Sequence, residues 1–134
     1  MQKIFFDSSA ILTWYKTQNN SETINNFLKQ VFNSEIEGYI CEVNLAEILY
    51  QIARHENNFA LAQEFVDDLL NQVGLLKVPT EWGLWQKAAM YKMAGNIALP
   101  DCILIASAKK AKAKILTCDP EFKQFEMEAE IIWF

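Results

Sequence analysis

The chain predicts a three-layer α/β domain, a central parallel β-sheet with helices on both faces. Three observations carry that reading. Short apolar runs alternate with stretches of helical period, the order expected when each strand is followed by a crossover helix. Lys3 to Phe6 and Lys114 to Thr117 are near-continuous apolar runs, as in strands covered on both sides. With 134 residues, the chain is long enough for one domain, residues 1–134, that buries roughly two-thirds of its unfolded surface.

The elements follow in order. The run from Lys3 to Phe6 is expected to be a central first strand, and Asp7-Ser8-Ser9 caps a helix from about Ala10 to Lys16 that ends at Asn19-Asn20. Ser21 caps a second helix, in which Ile24, Phe27, Leu28, Val31 and Phe32 recur at helical spacing. Beyond Gly38, Tyr39-Ile40-Cys41 reads as a strand. Asn44 to Glu47 then opens a third helix with capping-box spacing.

Asn58 opens a fourth helix closed by Gly74, and Leu75 to Val78 is a strand ended by Pro79. Thr80 caps a fifth helix, about Glu81 to Met93, whose aromatic and thioether load (Trp82, Trp85, Met90, Tyr91, Met93) is expected mostly in the core. Pro100 and Asp101 start a sixth helix that finishes in lysines, an order that suits the helix dipole. Lys114 to Thr117 is a strand stopped by Cys118-Asp119-Pro120, and Glu130 to Phe134 closes the sheet.

Composition removes several classes of function. Apolar residues make up 51% and charged residues 22%, too apolar for a disordered chain. No run approaches a membrane span, and at the N-terminus an acid follows only three apolar residues, too few for a secretory signal, so a cytoplasmic protein is expected. Three cysteines without paired spacing give neither a disulfide framework nor a zinc site, and they read as small core residues. His55, the only histidine, lies at a charged helix end, which makes a Ser-His triad untenable. A net charge of -5 opposes nonspecific binding of duplex nucleic acid by bulk electrostatics.

The chemistry must then come from acids. Ligands of parallel sheets bind beyond the carboxyl ends of the strands, where Asp7, Glu47 and Asp119 are all expected. Asp101 shares an apolar stripe with Leu104, Ile105 and Ala108, and it joins the same rim if its helix begins there. Taken singly, each acid has a structural explanation as a cap or a dipole partner. Taken together, four converging carboxylates call for a hard divalent cation, with magnesium or manganese suited to oxygen ligands.

The segments IFFDSSA, LAEIL, PDCILIASA and ILTCDPEF resemble, in order and spacing, the PIN-domain family and especially the ribonuclease toxins of VapBC toxin-antitoxin pairs. The resemblance spans essentially the whole chain. It implies a PIN-like fold whose metal site is formed by Asp7, Glu47, Asp101 and Asp119, supported by the hydroxyls of Ser8 and Thr117. It also implies a Mg2+- or Mn2+-dependent endoribonuclease that cleaves single-stranded RNA internally to leave a 5′-phosphate, a VapB-like antitoxin as partner, and a homodimer. Glu121, a second acid of the last motif, reads as an auxiliary acid or a surface turn residue. Arg54 is the only arginine, which departs from an RNA-binding composition.

Rival readings are a PIN-like binding module that cleaves nothing and a housekeeping RNA-processing nuclease. Retention of all four acids opposes the first. A phosphatase of the DxD type is disfavoured by Ser9 at its second acidic place, and a phospho-receiver by Val78-Pro79-Thr80, which lacks an acceptor aspartate. Lys109, Lys110, Lys112 and Lys114 read first as a solvated, dipole-complementing helix end and second as guides for an RNA backbone, and Trp14, Tyr15 and Tyr50 as packing, base-stacking or partner-binding residues.

Overall fold

The computed structural model describes residues 1–134. The elements run β1 (Lys3–Phe6), α1 (Ser8–Tyr15), α2 (Ser21–Phe32), β2 (Glu37–Cys41), α3 (Glu42–Glu56), α4 (Phe59–Asp68), β3 (Leu76–Val78), α5 (Trp82–Ala94), α6 (Leu99–Ala111), β4 (Lys114–Thr117) and β5 (Ile131–Trp133). A π-helical turn, Leu69–Val73, extends α4, and a 3₁₀ helix, Pro120–Phe125, follows β4. Five strands form one sheet in the order β3-β2-β1-β4-β5, with every pair parallel. β1 is central, as its apolar run predicts.

Side chains alternate across the strands, so each strand feeds both faces of the sheet. Ile4 and Phe6 of β1, Ile40 of β2 and Leu116 of β4 join α1, α2, α3 and α4 in one core. Phe5, Cys41 and Ile115 point the other way, into a core built with α5 and α6. Three layers result. Within α6, every residue from Cys102 to Ala108 is buried, because the helix is held between the sheet and α5. No helix is long and apolar enough to cross a membrane.

Several local expectations change. α3 begins at Glu42 without a side-chain cap, and Asn44 is fully buried inside it instead of capping it. α2 is preceded by Asn20 in a left-handed conformation, and α5 starts after Glu81 with no capping side chain from Thr80. Cys41 and Cys102 are buried, whereas Cys118 is exposed beside the turn that follows β4. The expectation that α5 sends most of its aromatic and thioether side chains into the core fails. Leu84, Ala88 and Tyr91 face α6 and the sheet, while Trp82, Met90 and Met93 face solvent. α5 packs chiefly on α6, so only one of its faces is covered.

Candidate metal centre

Asp7 ends β1 and caps α1, and the strand-to-helix turn fixes both of its carboxylate oxygens. Oδ1 accepts from the Ser8 backbone N–H at 2.9 Å. Oδ2 accepts from the Ser9 hydroxyl at 2.8 Å and from the Thr117 hydroxyl at 2.7 Å. Thr117 lies at the end of β4, next to β1 in the sheet, and its Oγ1 accepts in turn from the Asp119 N–H at 3.0 Å. Burial raises the Asp7 carboxyl above its ordinary value; the three donors oppose this and the Asp119 charge reinforces it.

Glu47 projects from the second turn of α3, the helix that follows β2, which lies beside β1 in the sheet. The Ser8 hydroxyl donates to its Oε2 at 3.3 Å, and Asn44, one turn earlier, donates through Nδ2 to the Ser8 Oγ at 2.8 Å. A chain from Asn44 through Ser8 to Glu47 therefore ties α3 to α1. The Asn44 carbonyl oxygen is buried without a partner. Burial raises the Glu47 carboxyl, as do the charges of Asp7 and Asp119, against the Ser8 bond.

Asp101 sits in the first turn of α6, and Asp119 caps the 3₁₀ helix, accepting the Glu121 N–H through Oδ1 at 2.9 Å. Asp101, Asp119 and Glu121 each offer an oxygen within 4.8 Å of the other two. Burial, followed by the charges of Asp7, Asp119, Glu121 and Glu47, pushes the Asp101 carboxyl up to about 8. One cleft of about 360 Å³ is lined by all five acids together with Ser8 and Ser9, and neither a lysine nor an arginine lines it.

The four acids expected from the sequence are thus brought to one cleft at the carboxyl rim. Ser8 and Thr117 hold Glu47 and Asp7 respectively. Sequence reasoning missed the structural parts of Ser9 and Asn44. Their signals were slight: Ser9 stands two residues after Asp7, and Asn44 lies one helical turn before Glu47. The donor set is all oxygen, negatively charged and without an internal cation, which fits a hard divalent ion.

A five-stranded parallel sheet carrying acids at this rim defines the class. Residues 4–127 match the PIN domain profile, and the chain belongs to the PIN domain family. Among solved structures it is similar to VapBC2 from Rickettsia felis bound to a promoter DNA fragment, with TM-score 0.74, 14% identity and 98% of each chain covered. VapBC-1 from nontypeable Haemophilus influenzae gives TM-score 0.75 at 14% identity, again over 98% of each chain. VapC20 of Mycobacterium tuberculosis, a toxin that cleaves the sarcin-ricin loop, gives 0.71 at 14% over 90% of this chain and 93% of that one. At such identities what is shared is the fold. No curated protein matches the chain in sequence.

Proposed function

We propose that residues 1–134 form one divalent-metal-dependent endoribonuclease, cytoplasmic and of the VapC toxin type, acting on single-stranded RNA. The observation that carries the reading is the meeting of Asp7, Glu47, Asp101 and Asp119 in one cleft without a neutralising side chain. Family membership and the likeness to VapBC structures support it.

Asp101, Asp119 and Asp7 would hold Mg2+ or Mn2+, with Glu121 offering a further oxygen. When bound, such an ion neutralises phosphate charge and makes water a usable nucleophile near neutral pH. Glu47, steered by Ser8, would hold a metal-bound water and is placed to accept a proton from it as it attacks. Water oxygen bonds to phosphorus as the bond from phosphorus to the 3′ oxygen breaks; the departing oxygen takes a proton from solvent, leaving a 3′-hydroxyl and a 5′-phosphate. Thr117 and Ser9 keep the Asp7 carboxylate turned into the cleft throughout.

Asp101→Asn tests the proposal. RNA cleavage in magnesium or manganese should fall at least about a hundredfold, as expected when a charge-stabilising group is lost, while circular dichroism stays native. Unchanged cleavage by the variant would refute the site. Wild-type protein that binds no divalent ion would favour a non-cleaving PIN-like module. The partners follow from the same reading: a VapB-like antitoxin and a second copy of this chain. A small upstream reading frame encoding a DNA-binding domain would support the toxin assignment, and its absence would leave a housekeeping nuclease open.

A further inference from the structure

Beside the acid cleft lies a second hollow that the metal chemistry leaves unused. It has a volume of about 550 Å³ and is lined by Thr13, Gln18, Asn19, Asn20, Cys118 and Phe134. The two spaces share a wall. The Cys118 N–H donates to the Ser9 hydroxyl oxygen at 3.3 Å, Ser9 donates to Asp7 at 2.8 Å, and Asp119, the residue after Cys118, lines the cleft. A strand of RNA with one phosphate at the acids therefore brings a neighbouring nucleotide to this hollow.

The lining is neutral. No lysine, arginine, aspartate or glutamate contributes to it, so it has no cation to hold a phosphate and no carboxylate to draw a basic side chain. It offers instead three primary amides, each with two donors and an acceptor, all on exposed residues. Phe134, half-buried, adds an aromatic ring, and Thr13 is buried behind the amides. Amides beside a ring suit a ligand that is flat, uncharged and polar at its edge, which describes an unpaired nucleobase. The volume lies within the roughly 300–1,000 Å³ of small-ligand sites and admits a purine.

The amides stand on a loop with a fixed shape. Thr17 and Asn20 are left-handed, at φ 52° and 74°, and a β-branched residue such as threonine seldom adopts that conformation. Local bonds keep it there. Thr17 N–H donates to the Trp14 carbonyl, Gln18 N–H to Thr13 and Ser21 N–H to Gln18. Asn20 precedes α2 but makes no side-chain cap to it, so its amide stays available. Strain held in place by surrounding bonds gives a pre-organised contact surface, which loses little entropy on binding.

We propose that this hollow receives an unpaired base of the RNA next to the scissile phosphate, with Gln18, Asn19 and Asn20 reading its edge and Phe134 lying against its face; the proposal rests on the nuclease reading above. The hollow thus selects where the cleft cuts. A base already paired in a duplex has its pairing edge occupied, so the same hollow favours a single strand.

Cleavage of a pool of single-stranded RNA of random sequence by the full chain in manganese, with the cut ends sequenced, tests this. The wild type should favour one base at one position beside the cut. Gln18→Ala with Asn19→Ala should flatten that preference about fivefold or more, the discrimination that a well-placed amide contact supplies. The KM for an oligonucleotide carrying the favoured base should rise. Manganese affinity, read by calorimetry, should stay at the wild-type value, since no acid of the cleft is changed. Cleavage without any preference beside the cut, or a preference that survives both substitutions, would overturn the base site and leave the nuclease proposal standing. Weakened manganese binding in the variant would mean that the loop shapes the cleft instead, and would also overturn the base site. No cleavage by the wild type in magnesium or manganese would overturn both proposals.

Discussion

Thr117 has no contact with solvent, and its hydroxyl both donates to Asp7 and accepts from the Asp119 N–H. Thr117→Val keeps the shape and removes both bonds, leaving a half-buried N–H and a buried carboxylate each one partner short. Denaturant unfolding should show a loss of about 1–3 kcal/mol. Asp101 carries the clearest dependence on pH. Its carboxyl is raised to about 8 in the native metal-free chain, so the folded state holds a proton that the unfolded chain releases near its ordinary value. The stability associated with that proton is complete below about pH 4 and is lost as pH rises to about 8. Asp101→Asn should therefore melt above the wild type at pH 8 without metal, the gap narrowing towards pH 4. Manganese should raise the wild-type melting temperature at pH 8 more than the variant's. Equal responses of the two proteins to pH and metal would contradict this account.

Gly38 shows how tightly the elements are spaced, since β2 runs directly beneath α2 and the residue leading into β3. A Cβ at this position would lie 2.6 Å from Val31 Cγ2 and 2.7 Å from Leu75 Cδ2, with Phe6 Cε1 at 3.2 Å. Gly38→Ala should cost about 1–3 kcal/mol by overpacking, measurable as a lower denaturation midpoint with an unchanged slope. Elements bounded by strong stops were legible in the sequence. The strand Lys114–Thr117 matches its expected limits because Cys118-Asp119-Pro120 ends it, and α6 was marked by Pro100 at one end and lysines at the other. The faces of α5 were not legible. Tryptophan and methionine read as core by type, and only the neighbours of the helix decide which of them find cover. Asn44 was misread for a related reason, since an asparagine at a strand-to-helix junction resembles a cap until the Ser8 hydroxyl is seen beside it. Convergence of the four acids was inferable because Asp7, Asp101 and Asp119 stand at the ends of elements and Glu47 near the start of a helix, all at the same rim, whereas Ser9 looked like part of a cap.

At the scale of the molecule, two apolar cores share the strands β1, β2 and β4, so neither can melt without exposing the back of the other. Thermal unfolding followed by circular dichroism and by tryptophan fluorescence should give coincident transitions. Two separated transitions would mean that the layers are independent units. The order of strands has another consequence. β1 precedes β4 by more than a hundred residues, yet β4 is the neighbour that brings Thr117 and Asp119 to Asp7. A chain still on the ribosome holds one wall of the cleft and lacks the other. Any chemistry that needs both walls waits until β4 has been made and has slotted in beside β1, so a chain cut short before Lys114 has no complete cleft.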